Sequence, residues 1–219
     1  RRQRQMCIRD SNMIAAVLSK KYKVLQTEKN YNNEIGLPKT LFQLTADHEA
    51  CVVEMGMRGL GQIAELVDIG EPTIGVVTNV GKSHIELLGS QENIAKAKSE
   101  LVQGLDANGT AILNGDDPFV APMQDLCQGR SILYGTGESA HIRAENIVCD
   151  EKGVRFTCHC FDRTFDVSVP VIGRHNVYNA LAAIAAGYVT GLSDSELQAG
   201  LSAYRGTVSY THLTLPTIA

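Results

Sequence analysis

At 219 residues the chain is long enough for one sizeable core, and 44% hydrophobic with 20% charged residues is the balance of an ordinary soluble globular protein. A formal net charge of -4 excludes nucleic-acid binding driven by a general positive field, and no apolar run approaches the ~20 residues of a membrane span. The six cysteines lack framework spacing and several stand in apolar runs, which reads as reduced thiols in a cytoplasmic protein.

The chain opens on RRQRQMCIRDS, which is basic, but no hydrophobic segment follows it, so it is not a secretory signal. A nuclear-localisation or nucleic-acid arm is the other reading of such a run. Both this start and the end, VSYTHLTLPTIA, resemble translated sequencing-adapter sequence. Residues 1–11 and 208–219 are therefore set apart as non-native, which leaves 12–207 as the domain. From Met13 the pattern MIAAVLSKKY predicts a helix. Short, nearly continuous apolar runs come next: ACVVEMG, TIGVVTN, TAILNGDDP and SILYG, with helical patterns such as SQENIAKAKSELVQGL between some of them. Buried runs of strand length alternating with helices predict an α/β fold, a mostly parallel sheet flanked by crossover helices. Ligands in such sheets gather beyond the carboxyl ends of the strands. The polar residues Glu54, Thr78, Asn79, Asn114, Asp116 and Asp117 stand there.

From about 139 to 170 the apolar period changes to two, with turn signals at DEKG and FDR, which predicts a small antiparallel β subdomain. Its Cys158-His159-Cys160 has the wrong spacing for a metal site, because alternation puts the two thiols on one face and the imidazole on the other. HNVYNALAAIAAGYV and SDSELQAGLSAY predict two closing helices, the second with a capping box from Ser193 to Glu196.

The stretch TNVGKSHIELLGS carries a Gly-Lys-Ser after an apolar strand, as a phosphate-binding P-loop does. The pattern G-x-x-x-x-G-K-[ST] puts Val76 where the first glycine belongs, with Gly75 one place too early. A loop of the wrong length cannot aim its amides at the same oxygens, so this is no Walker A loop. Glu54, at a strand's carboxyl end before a glycine-bearing loop, is either a Mg²⁺-binding carboxylate or a solvated strand-end acid. His84 follows the next strand, so it and Glu54 can face one crevice; a lone loop histidine is otherwise incidental. Lys98 falls within the helical stripe of Ile94, Leu101 and Leu105, with Lys96 on the opposite side. An inward lysine must be paired, neutralised, modified or snorkelling. Asn32 and Asn33 in NYNNEIGLP, and Asn176 and Asn179 in GRHNVYNALAA, are either caps or fixed amides for a polar ligand.

Taken in order, NYNNEIGLP, VVEMGMRGLGQIAEL, TNVGKSHIELLGS, IAKAKSEL, LNGDDP and GRHNVYNALAA resemble the ATP-binding central domain of the Mur ligases, over residues 12–207. The likeness is to the branch that adds D-alanyl-D-alanine, for which EMGMRGLGQIAEL is the most specific segment. The resemblance implies an ATP-dependent amide ligase of bacterial peptidoglycan synthesis that passes through an acyl phosphate. It also implies ATP and Mg²⁺ as cofactors, UDP-MurNAc-tripeptide and D-alanyl-D-alanine as substrates, a monomer, and a cytoplasmic location. By resemblance, Glu54, His84 and Lys98 match the family's metal site, with His84 and Lys98 near the chemistry and Lys98 at the carbamylated lysine. Asn32 and Asn33 match a loop facing the UDP-sugar peptide. Asn114, His175, Asn176 and Asn179 match positions around adenine.

One departure stands out. The family's Gly-Lys-Thr phosphate loop belongs just before the helix containing Met13, where RRQRQMCIRDS stands instead. The flanking uridine-binding and dipeptide-binding domains and the sheet's first strand are also expected to be missing, which would leave an open edge. The polypeptide as it stands is therefore expected to be inactive. A folylpolyglutamate-synthase-like ligase shares the domain plan, but NYNNEIGLP and EMGMRGLG argue against it. A non-catalytic nucleotide-binding module, or a stand-alone binding protein with a basic arm, are the readings outside enzymes.

Overall fold

A computed structural model describes residues 2–28, 30–81 and 85–206, with side chains from Asp10 onward. His84, its neighbours Lys82 and Ser83, and the segment 208–219 lie outside the described residues. In chain order the elements are α1 (Arg2–Leu18), β1 (Val24–Gln26), α2 (Gly36–Leu41), β2 (Ala50–Val52), α3 (Gln62–Gly70) and β3 (Ile74–Val77). Then come α4 (Ile85–Leu88), α5 (Gln91–Gln103), β4 (Thr110–Asn114), a 3-10 helix (Ala121–Leu126) and β5 (Arg130–Gly135). The chain closes with β6 (Ile142–Asp150), β7 (Gly153–Cys160), β8 (Arg163–Val169), α6 (His175–Val189) and α7 (Asp194–Ala203). Helix α1 begins at Arg2, so the segment set apart on the sequence forms its first turns.

The apolar runs are continuous because both faces of the sheet are covered. On β4, Ala111 and Leu113 enter one core with Ile94, Val102 and Leu105 of the α5 region. Ile112 between them enters the other core, with Met13 and Val17 of α1 and Leu181 and Ile184 of α6. Helix α6 is apolar nearly all round, and its residues 179–187 are all buried, as a helix between a sheet and two further helices must be.

Six strands form one sheet in the order β3-β4-β5-β6-β7-β8. The pairs β3–β4, β4–β5 and β5–β6 are parallel, and β6–β7 and β7–β8 are antiparallel. The antiparallel unit is thus not set apart: β6 joins the parallel sheet through Tyr134 opposite Ile142 and Gly135 opposite Arg143. Within β6 the register shifts between Glu145 and Val148, and Asn146 takes the left-handed φ of 52° that a bulge asks for and asparagine tolerates. Cys158 and Cys160 point into the core while His159 faces out, bonded to Glu145 and Thr164.

Strands β1 and β2 form a separate parallel pair. The crossover β2-α3-β3 therefore joins two strands that are not hydrogen-bonded to each other among the described residues. Both nonetheless rest on one core: Ala50 and Val52 of β2 and Ile74 and Val76 of β3 pack against the cluster holding Met13 and Ile14. Strand β1 and helix α2 have no counterpart in the sequence reading, because a three-residue strand and a six-residue helix carry too little periodicity to register; helix α3 also went unread, although Ile63, Leu66 and Val67 mark its buried face. The capping box at α7 is present in both directions between Ser193 and Glu196.

Candidate active site

The candidate residues follow the carboxyl ends of β2, in the two-stranded pair, and of β3 to β5, in the six-stranded sheet, and backbone groups there are held by side chains from neighbouring segments. Glu54 stands two residues beyond β2. Its N–H donates to Thr27 Oγ1 at 3.1 Å, which prolongs the β1–β2 pairing after Thr27 N–H has reached Val52 O at 2.9 Å. Ser11 Oγ, on α1, donates to Glu54 Oε1 at 2.5 Å, while the buried Oε2 has no hydrogen-bond partner among the described residues. Burial pushes the Glu54 carboxyl above the usual range, against the opposing pull of the Ser11 bond. A buried carboxylate oxygen without a donor is what a hard cation such as Mg²⁺ accepts as a ligand. No group of three His, Cys, Asp or Glu side chains with metal-binding geometry occurs among the described residues.

Beyond Glu54 the loop turns back over residue 32. Gly56 N–H donates to Asn32 O at 2.7 Å, and a Cβ at Gly56 would lie 3.0 Å from Asn32 Cγ. Only glycine lets the two loops approach so closely. Asn33 Oδ1 accepts from Gly36 N–H at 2.8 Å, so this amide oxygen caps the start of α2. Of the two asparagines, Asn32 is the one placed beside the Glu54 loop.

Lys98 is half-buried and Lys96 exposed, as the helical phase implies. Lys98 Nζ donates to Asn79 O at 2.5 Å. Two more side chains hold the same stretch: Asn114 Nδ2 donates to Thr78 O at 2.9 Å, and Asp117 Oδ2 accepts from Val80 N–H at 2.9 Å. The backbone leading into residues 82–84 is thus fixed at three successive residues. On the far side of α5, Glu100 Oε1 accepts from Gly61 N–H at 2.7 Å and Oε2 from Ala64 N–H at 3.1 Å. Gly61 itself has no side chain to cap α3 and sits at φ 83°; a carboxylate from another helix supplies the cap.

At the ends of β4 and β5, Asp116 N–H donates to Asn114 Oδ1 at 3.0 Å. The Asp116 carboxylate accepts four bonds: Thr136 N–H at 2.7 Å, Thr136 Oγ1 at 2.7 Å, Gly137 N–H at 3.2 Å and Tyr178 OH at 2.9 Å. Burial raises its pKa, but these donors together outweigh burial and hold the carboxyl below its ordinary value. Burial raises the Tyr178 phenol, which also donates to this carboxylate. On α6, Asn176 Nδ2 donates to Ile172 O at 2.9 Å, and Asn179 Nδ2 to Asn176 Oδ1 at 3.5 Å. Both amides are buried, and the His175 ring lies against Gly173, where a Cβ would come within 2.6 Å of it.

A family model described as the Mur ligase middle domain matches residues 11–187. The chain belongs to the Mur ligase family. Among curated Mur ligases, the UDP-N-acetylmuramoyl-tripeptide–D-alanyl-D-alanine ligase of Synechocystis sp. is 46% identical over 194 residues, which is 87% of this chain and 40% of that relative. Among solved structures, MurF from Acinetobacter baumannii superposes with a TM-score of 0.86 at 28% identity, covering 91% of this chain and 44% of that one. The Thermotoga maritima MurF ligase, solved in complex with ADP, gives a TM-score of 0.77 at 25% identity over 87% of this chain and 45% of that one. The chain thus spans less than half the length of each of these three relatives.

The structure gathers Glu54, Asn32, Lys98 and Asn114 around the strand ends and puts His175, Asn176 and Asn179 at the start of α6. The sequence reading missed Glu100, Tyr178 and Thr136. Asp116 was noted only as a strand-end acid. Glu100 follows Lys98 by two residues, but nothing in its spacing points to a partner in α3.

Proposed function

We propose that this chain is the nucleotide- and carboxylate-facing core of an ATP-dependent ligase that joins D-alanyl-D-alanine to UDP-MurNAc-tripeptide. The observation that carries the reading is that Lys98 and the amide-bearing start of α6 stand at the carboxyl ends of the six-stranded sheet, where α/β proteins bind their ligands, with Glu54 just past the carboxyl end of β2 in the neighbouring β1–β2 pair. In the complete reaction a tripeptide carboxylate oxygen attacks the γ-phosphorus of ATP, giving an acyl phosphate and ADP. The dipeptide amine then attacks the acyl carbon, loses a proton, and expels phosphate. Each step brings anion toward anion, so the site's task is to hold charge and orientation.

Glu54, His84 and Lys98 are the residues proposed to hold Mg²⁺, which when bound would neutralise phosphate charge. The unpartnered buried oxygen of Glu54 supports its part in this. Lys98 is proposed to react with CO₂: the N–C bond forms, two protons leave the ammonium, and a carbamate results. The nitrogen keeps one N–H, enough to preserve the contact with Asn79 O. Asn32 is proposed to face the UDP-sugar peptide. Asn114, His175, Asn176 and Asn179 are proposed to surround the adenine, with Asn176 and Asn179 fixing the α6 start from within.

The 219-residue polypeptide contains no G-x-x-x-x-G-K-[ST] loop. Losing a single oxyanion-type donor costs ~10²–10³ in rate, so the polypeptide alone is proposed to release no phosphate from ATP. The test of the activity is a chimaera in which residues 12–206 replace the matching stretch of the Synechocystis ligase. ADP formation that requires both UDP-MurNAc-tripeptide and D-alanyl-D-alanine is expected, and Glu54→Ala or Lys98→Ala should abolish it. A folded chimaera that makes no ADP with both substrates present would refute the reading.

A further inference from the structure

Asp116 sits outside the metal and substrate positions proposed above, yet its carboxylate accepts four hydrogen bonds. Its four donors come from two separate parts of the chain. Thr136 and Gly137 lie just past β5, and Tyr178 lies on the first turn of α6 between Asn176 and Asn179. Its own N–H leads back through Asn114 to Thr78 O beyond β3. The space is tight as well: a Cβ at Gly135 would lie 2.5 Å from Asp116 Oδ1, and one at Gly137 would lie 3.2 Å from it. The carboxylate is therefore seated against backbone on one side and tied to a helix on the other.

We propose that Asp116 is a positioning residue: by holding Tyr178 and the 136–137 turn together, it sets the first turn of α6 against the ends of β4 and β5, and so sets the seat of a purine base. This rests on the reading of His175, Asn176 and Asn179 as adenine neighbours. Tyr178 Oη is the only contact in the set that crosses from α6 to the strand ends by side chain alone, so its hydroxyl is the point at which the latch can be opened without changing the ring. Positions three apart on a helix share a face; Tyr178 lies three residues from His175, and Asn176 and Asn179 belong to the same first turn, so a shift of the turn that Tyr178 anchors moves all three.

The test uses the 219-residue chain and adenosine, a probe without phosphates. Adenosine affinity is measured by NMR titration, and amide exchange is read residue by residue. Tyr178→Phe and Asp116→Asn should each weaken adenosine about three- to tenfold, the loss of roughly one hydrogen bond's worth of order. The double variant should lose less than the two single losses added together, because the two groups share one contact. Exchange at residues 176–180 should quicken about fivefold, with β7 and β8 unchanged. Val167→Ala, in the core of β8, serves as a control that lowers stability without touching the latch, and it should leave adenosine affinity as it was. Tyr178→Phe with wild-type adenosine affinity, or with unchanged exchange at the start of α6, overturns the proposal. If wild-type chain binds no adenosine, the nucleotide reading fails, and exchange alone then decides the latch: a local quickening supports it and a uniform one overturns it.

Discussion

Glu100 offers the most direct probe of how the Glu54 loop and the Lys98 helix are held together. It lies on α5 two residues after Lys98, and its carboxylate caps α3, the helix that follows the loop carrying Glu54. Helix α3 opens at Gly61 with no side-chain cap of its own, and the N–H groups of a helix start attract negative charge, which Glu100 supplies. A helix cap is worth about 0.5–2 kcal/mol, and two bonds to one carboxylate approach the upper part of that range before screening. Glu100 is half-buried and one of its bonds is exposed, so about 1–2 kcal/mol is the expected net loss in Glu100→Ala. For a chain of this size that lowers Tm by about 2–8 °C. Locally it should speed amide exchange at the start of α3 by about five- to thirtyfold, with β7 and β8 unaffected. Glu100→Gln keeps one acceptor and should lose about half as much. A Glu100→Ala chain that melts within about a degree of wild type, with unchanged exchange in α3, would refute the cap and with it the coupling of the two loops.

Four further outcomes can be checked on the same chain. Gly56→Ala forces a Cβ to within 3.0 Å of Asn32 Cγ; the cost should be about 1–3 kcal/mol by chemical denaturation, and a neutral result would show that the 32 loop yields freely. The folded-state pKa of Asp116 is depressed, so its contribution to stability is present above the ordinary carboxylate range and lost as pH falls through the lower folded value. The Tm gap between wild type and Asp116→Asn should accordingly be full at neutral pH and close below about pH 4; a gap that persists at pH 2 contradicts this. Burial raises both Cys158 and Cys160, the latter to about 11, whereas Cys149 is exposed. A thiol reagent at neutral pH should label Cys149 in the native chain and reach Cys158 and Cys160 only on unfolding. Carbon-13 bicarbonate should give a carbamate resonance that Lys98→Arg removes; a spectrum without one, at saturating bicarbonate, would set the modification aside.

What the sequence made legible was the part written in periodicity. Continuous apolar runs gave the parallel strands because both faces are covered, and alternation gave β6, β7 and β8 because only one is. The same alternation placed Cys158 and Cys160 inward and His159 outward. Helical phase set Lys98 apart from Lys96 because a period of 3.6 decides which side of α5 meets the core. The connection of β6 to β5 escaped notice, since a pairing through Tyr134 opposite Ile142 and Gly135 opposite Arg143 leaves no mark in either segment's own pattern.

The site itself was legible only as a set of positions. Its geometry is made almost wholly of side chains reaching backbone groups far away in sequence: Asn114 to Thr78 O, Asp117 to Val80 N–H, Lys98 to Asn79 O, Glu100 to Gly61 N–H, Asp116 to Thr136 N–H. Backbone donors and acceptors are the same at every residue, so no residue type announces that it is the target of such a bond. The acceptor or donor side chain announces only that it is polar at the end of a strand. Hence Asp116 registers only as one of several polar residues at strand ends and Glu100 does not register at all, although one ties three segments and the other caps a helix across the structure. Orphan N–H groups at turns and helix starts must find partners. In a sheet whose strand ends lie side by side, the nearest partners are the polar residues ending the adjacent strands, and the ligand crevice is built from the same residues that satisfy the loops around it.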